Sequence, residues 1–233
     1  MNTTTTTATA VLPEDFGQTW VEAMLATVLG SATSRGAATA LGDLDRQAGD
    51  GDFGTNLTSA FKRVQAEVAA TDPADYTAWL TAVSRGFLGT GGTSGPLFGM
   101  FFRELARCTE QRTPTVAELS AGLSAGVATV QRYGKAEVGH KTMVDALVPA
   151  ATALADAVAA GADDALRQAT QAAQQGARST SDIVAKRGRA SYVGEVARGV
   201  LDPGAVAAAL MVQCADAAAA GRSGAVDTRW AQG

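Results

Sequence analysis

Residues 45–68 read DRQAGDGDFGTNLTSAFKRVQAEV, and the pattern changes in their middle. From Leu57 the apolar residues Leu57, Ala60, Phe61, Val64 and Val68 recur at three- and four-residue steps, the spacing of one face of an α-helix rather than the alternation of a strand. The same period runs through Phe16, Trp20, Met24, Leu25 and Val28, where Pro13, Glu14 and Asp15 suit a first turn. It returns in residues 76–88, 97–105, 116–130, 143–158, 165–177 and 206–219. Alternating β-branched runs are nearly absent and alanine, the best helix former, dominates. The chain therefore reads as all-α, an antiparallel barrel or bundle of about eight amphipathic helices with its loops gathered at the ends.

The length of 233 residues and an apolar fraction of 46% suit one sizeable core. A single domain is expected over residues 12–233, after a Thr/Ala-rich disordered tail at residues 1–11. With a net charge of -4, no Lys/Arg cluster is large enough to neutralise a run of phosphates, which argues against a nucleic-acid partner. No apolar run approaches a membrane span, and the start MNTTTTTATAVLP lacks the features of a signal peptide, so a soluble cytoplasmic protein is expected. Cys108 and Cys214, both within apolar periodic segments, read as buried free thiols.

Charge and glycine gather in a few junctions. In GDGDFG, Asp and Gly suit a simple turn. Yet Asp50 and Asp52 stand at i, i+2, and Asp45 lies about one turn back on the preceding helix. Three like charges repel unless a cation joins them. Oxygen-only donors favour Mg²⁺ or Ca²⁺ over zinc, and the spacing fails an EF-hand because Phe61 stands where the last Glu ligand is required, so Mg²⁺ is preferred. The loop GTGGTSGPLFG, residues 89–99, offers N–H groups and the Thr93 and Ser94 hydroxyls at a helix start; the alternative is glycine needed only for close packing. Neither it nor GKAEVGHKT, residues 134–142, fits a dinucleotide or Walker fingerprint. His140, the only histidine, reads as a polar helix-start residue. Lys141 and Asp145 form an i, i+4 pair, either a solvated bridge or an inward polar contact. The segment 186–205, KRGRASYVGEVARGVLDPGA, reads either as a mobile basic loop or as a surface linker.

Taken in order, LDRQAGDGDFGTNL, GGTSGPLFGMFF, GKAEVGHKTMVDALVPA and KRGRASYVGEVARGVLDPGA resemble the L subunit of bacterial dihydroxyacetone kinases, across nearly the whole chain outside the Thr-rich tail. The resemblance implies a barrel of eight antiparallel helices with ADP or ATP in loops at one end. It implies two Mg²⁺ ions on Asp45, Asp50 and Asp52. Nucleotide contacts would come from Phe53, Gly54, Thr55 and Asn56 and from Thr93 and Ser94. Further contacts would come from Gly134, Met143 and Arg189, and from Asp202, Pro203 and Gly204. Met143 suits packing on adenine and Arg189 pairing with phosphate. No side-chain nucleophile is implied, and no catalytic residue is assigned.

In that family the ketose is held covalently by a histidine of a separate K subunit. ATP is either an exchangeable substrate, or ADP is a bound cofactor recharged by a phosphotransferase-system M subunit. Two departures stand beside the expected nucleotide. Many relatives carry His where this chain has Phe53, and an acidic residue where it has His140. Alternatives are the same role toward another short ketose such as a tetrulose, or a nucleotide-sensing regulator.

Overall fold

The computed structural model describes residues 10–31 and 34–231. Among them nine α-helices form: α1 (Phe16–Leu29), α2 (Ala37–Ala48), α3 (Phe53–Thr71), α4 (Tyr76–Leu88), α5 (Ser94–Ala106), α6 (Val116–Gly134), α7 (Val144–Ala157), α8 (Ala162–Ser179) and α9 (Pro203–Ala219). A two-residue hairpin, β1 (Gly30–Ser31) and β2 (Ser34–Arg35), links α1 to α2. The all-α expectation holds, with one helix more than the periodic stretches indicate. The extra helix is α2, whose buried positions include only one large apolar residue, Leu41, beside alanines, Gly42 and Asp45.

Local signals set several helix starts. Asp75 accepts the Ala78 N–H at 2.8 Å to cap α4. Thr115 and Glu118 form a reciprocal capping box on α6. Asp202 accepts the Ala205 N–H at 2.7 Å to cap α9, with Pro203 in its first turn. His140 is not at a helix start: α7 begins at Val144, because Thr142 and Asp145 hold the preceding residues in a turn.

Residues 1–9 of the expected tail lie outside the described residues. For Ala10 and Val11 the expectation is corrected. The Ala10 carbonyl accepts the Val116 N–H at 3.0 Å, Val11 bridges Thr115, and the Leu12 N–H reaches Pro114 O at 3.2 Å. Burial of Leu12 on the core holds this short pairing in place.

From α2 to α9 each helix packs on the next, and α9 also meets α1, α2 and α7, which closes the ring. The core centres on Phe16, Trp20, Phe61, Tyr76, Phe87, Phe98 and Phe102. Phe87 touches the rings of Phe61, Phe98 and Phe102 at centroid distances of 5.4, 5.3 and 5.9 Å. The alternating direction of the helices places the starts of α3, α5, α7 and α9 beside the ends of α2, α4, α6 and α8. The four glycine-marked junctions thereby reach the same end of the barrel. Among the described residues no helix is long and apolar enough to cross a membrane.

Candidate functional site

At that end lies a cleft of about 480 Å³. Its walls come from all four junctions: Asp45, Asp50, Asp52, Phe53 and Asn56; Thr93 and Ser94; Gly134 and Met143; Arg189, Asp202, Pro203 and Gly204. The starts of α3, α5, α7 and α9 contribute to it, so positive dipole ends face the same volume as the carboxylates. Deeper in, Leu57, Leu97, Phe98, Val130 and Val144 make an apolar floor. The cleft can accept an anion at its rim and an apolar ring below.

Two expected residues do not line it. Helix α3 starts at Phe53, and the i, i+3, i+4 spacing brings Phe53, Asn56 and Leu57 to the cleft while Gly54 and Thr55 turn away. Gly54 packs instead on α2, where a Cβ would stand 2.8 Å from Gly42 Cα. Thr55 is exposed. Gly51, between the two aspartates, has φ of 80°, a left-handed conformation that glycine adopts without strain and that makes the tight acidic turn.

The three aspartates behave differently. Asp45 is buried and accepts the Phe53 N–H at 2.9 Å. Burial raises its carboxyl pKa; the Phe53 hydrogen bond opposes this and the neighbouring Asp50 charge adds to it. Asp50 pairs with Arg189, Nε to Oδ2 at 3.0 Å. Asp52 is exposed. Among the described residues no three acidic, histidine or cysteine side chains form a ready metal cage. The donor chemistry nonetheless fits a hard cation: the set is oxygen-only, and Asp45 and Asp50 repel one another.

Lys141 and Asp202, which line the cleft, and the nearby Asp145 carry more than their sequence suggests. Lys141 is buried, 1% exposed, and donates from Nζ to the carbonyls of Thr180 and Val200, each at 2.5 Å. Burial lowers its pKa, against the charges of Asp202 and Asp145. Asp145, also buried, accepts the Gly139 N–H at 2.6 Å and the Thr142 N–H at 2.7 Å. The i, i+4 pair is therefore inward, each partner bonded to backbone and not to the other. Desolvation pushes the Asp202 carboxyl up to about 7; the Ala205 N–H opposes this, Asp145 adds to it and Lys141 opposes it. Cys108 and Cys214 are free thiols, and Cys214 is buried against Thr27.

Fold and cleft together define a helical-barrel protein with one polar, charge-bearing end. A family model described as the DAK2 domain matches residues 47–217. The chain belongs to this family, which includes the L-type subunits of dihydroxyacetone kinases. It is 35% identical, over 73% of its length and 82% of the relative's, to the PEP-dependent dihydroxyacetone kinase 1, ADP-binding subunit DhaL, of Listeria innocua. With the corresponding ADP-binding subunit of Escherichia coli it shares 38% identity over 73% of its length and 83% of the relative's. The solved dihydroxyacetone kinase from C. freundii, in complex with AMP-PNP and Mg²⁺, superposes with a TM-score of 0.64 at 27% identity. That likeness covers 91% of this chain and 35% of the C. freundii chain.

Proposed function

We propose that this chain is the nucleotide-binding, phosphoryl-donating subunit of a dihydroxyacetone kinase. The observation that carries the reading is the convergence of the acidic turn, the glycine loop and the segment bearing Arg189 on one cleft. The helix starts and the Thr93 and Ser94 hydroxyls bind phosphate oxygens, and Arg189 adds charge to them. Met143, Leu97 and Val130 receive the base. Asp45, Asp50 and Asp52 hold Mg²⁺, which when bound neutralises charge on the phosphates during transfer. Gly54 serves this site through the packing of α3 on α2 and not by lining the cleft, whereas the exposed Thr55 stands apart from it.

The acceptor is a ketose presented by a K-type partner subunit. Of the exposed large apolar side chains among the described residues, Leu88, Tyr133, Val138, Tyr192, Val193 and Val196 stand on loops or helix ends of the cleft side and Val11 stands elsewhere, which supports docking at the cleft side. Whether ATP exchanges or bound ADP is recharged by a phosphotransferase-system M subunit changes the supply of phosphate and not this geometry.

Thermal unfolding with Mg²⁺, with ADP and with both tests the reading, after a check for ADP carried through purification. Ligand at a hundred times its Kd is expected to stabilise by about 2.7 kcal/mol. Asp50→Asn is expected to remove the Mg²⁺-dependent part. No shift and no retained nucleotide would sink the reading. A shift without phosphoryl transfer in a mixture with a K-type subunit and ketose would leave a nucleotide sensor instead.

A further inference from the structure

Between the end of α8 and the start of α9, residues 183–200 form a stretch of turns and short 3₁₀ segments. It supplies Arg187, Gly188, Arg189 and Ala190 to the cleft, yet has few apolar anchors. Its two feet are tied to each other. The Gly199 N–H reaches Ser181 O at 2.8 Å, Arg198 Nη1 reaches Asp182 O at 2.7 Å, and the Asp202 N–H reaches Thr180 Oγ1 at 2.8 Å. The base of the loop is thereby closed.

One side chain outside the loop grips both feet. The Lys141 ammonium bonds Thr180 O on one side and Val200 O on the other. The adjoining His140 carbonyl accepts the Lys186 N–H at 3.1 Å, partway along the loop. Lys141 is buried and its own backbone is left-handed, φ 61°, a cost for a residue with a Cβ. Both carboxylate oxygens of Asp145, on the Gly139 and Thr142 N–H groups, hold the turn that imposes this conformation.

We propose that Lys141 is a positioning residue: it ties the base of the 183–200 loop to the 139–145 turn and thereby presents Arg189 to the acidic cluster and to the phosphate of a bound nucleotide. The second half of this statement rests on the function proposed above; the anchoring does not. Both residues line the cleft, but the Lys141 ammonium is committed to the carbonyls of the two loop feet while the Arg189 guanidinium faces the acidic cluster, so Lys141 acts through Arg189. A charged donor shared by two carbonyls is worth more than two neutral bonds in this buried setting. Its loss should be felt first at the loop, whose own contacts are few.

Hydrogen–deuterium exchange of the full ligand-free chain tests the anchor, with Lys141→Met, and with Lys141→Gln as a milder variant that keeps an N–H donor. Peptides within 183–200 are expected to exchange at least about tenfold faster, with α1 and α4 unchanged. Unchanged exchange of the loop in both variants overturns the proposal. So does equal loosening of α1, α4 and the loop in both, since Lys141 would then hold the barrel and not the loop.

Positioning is read from Mg²⁺–ADP affinity in a double-mutant cycle with Arg189→Ala. The loss caused by Arg189→Ala is expected to shrink in the Lys141→Met or Lys141→Gln background. Additive losses overturn the positioning role. Failure of the wild-type protein to bind Mg²⁺–ADP would strike the functional reading, and exchange in the absence of ligand would still decide the anchor.

Discussion

Helix α9 and the loop that leads into it are neighbours in the chain and opposite in construction. Nearly every residue of α9 is buried, on all its faces, so its place is held by apolar area and by the helices around it. The 183–200 loop exposes Tyr192 and Val196 at 84% and 72% and is held by a small number of polar ties at its base. Stability is spread over many contacts in the first and concentrated in a few bonds in the second. Function sits with the second, as expected for a segment that must meet and release a ligand.

The sharpest way to break this comparison is to cut into each region. Leu210→Ala, at a buried position of α9, is expected to cost about 2–5 kcal/mol in urea unfolding while leaving loop exchange unchanged relative to the rest of the chain. An effect confined to the loop would contradict the division.

Asp202 stands at the boundary, and its titration tests both sides. An unfolded Asp titrates near 3.9, whereas the folded carboxyl is pushed up to about 7. Between those values the folded chain holds the extra proton, so this group makes stability fall as pH rises from about 4 to about 7. In the ligand-free protein, urea midpoints across that range are expected to decline more steeply for wild type than for Asp202→Asn. An equal slope would mean that Asp202 ionises freely.

A cap away from the cleft supplies a control. Thr115→Ala, which removes half of the α6 capping box, is expected to cost about 1 kcal/mol without altering Mg²⁺–ADP binding. The smallest stability effect belongs to Arg189→Ala. Its exposed pair with Asp50 is worth less than about 1 kcal/mol, yet Mg²⁺–ADP affinity measured by calorimetry is expected to fall clearly. Normal affinity in this variant would remove the loop from the proposed site.

Much of the architecture is legible in the chain because helix period and capping chemistry are local. The stripes of α1 and of α3 to α9 can be read within a few residues, and the Asp75, Thr115 and Asp202 caps that the structure shows are equally local. Helix α2 is read only as the helix carrying Asp45 before the acidic turn and shows no stripe of its own, because small residues and Asp45 occupy its inward face, which blurs the apolar period. At the site, sequence motifs gathered residues that helical rotation then separates: Asn56 shares the cleft with Phe53, while Gly54 and Thr55 point elsewhere. The signal that could have divided them was the same three- and four-residue step that revealed the helix.

Lys141 marks the limit of sequence reading. Its spacing to Asp145 suggested a pair, but its hydrogen-bond partners lie 39 and 59 residues away, and carbonyl groups carry no side-chain signature. Sequence by itself determined the apolar stripes of eight helices and the junctions where charge and glycine collect, since each depends on neighbours along the chain. Only the tertiary structure decided that four junctions share one cleft and that a buried ammonium joins both feet of a loop. Those outcomes depend on the packing of the whole barrel, which brings distant backbone within a hydrogen bond and excludes the water that would otherwise compete for it.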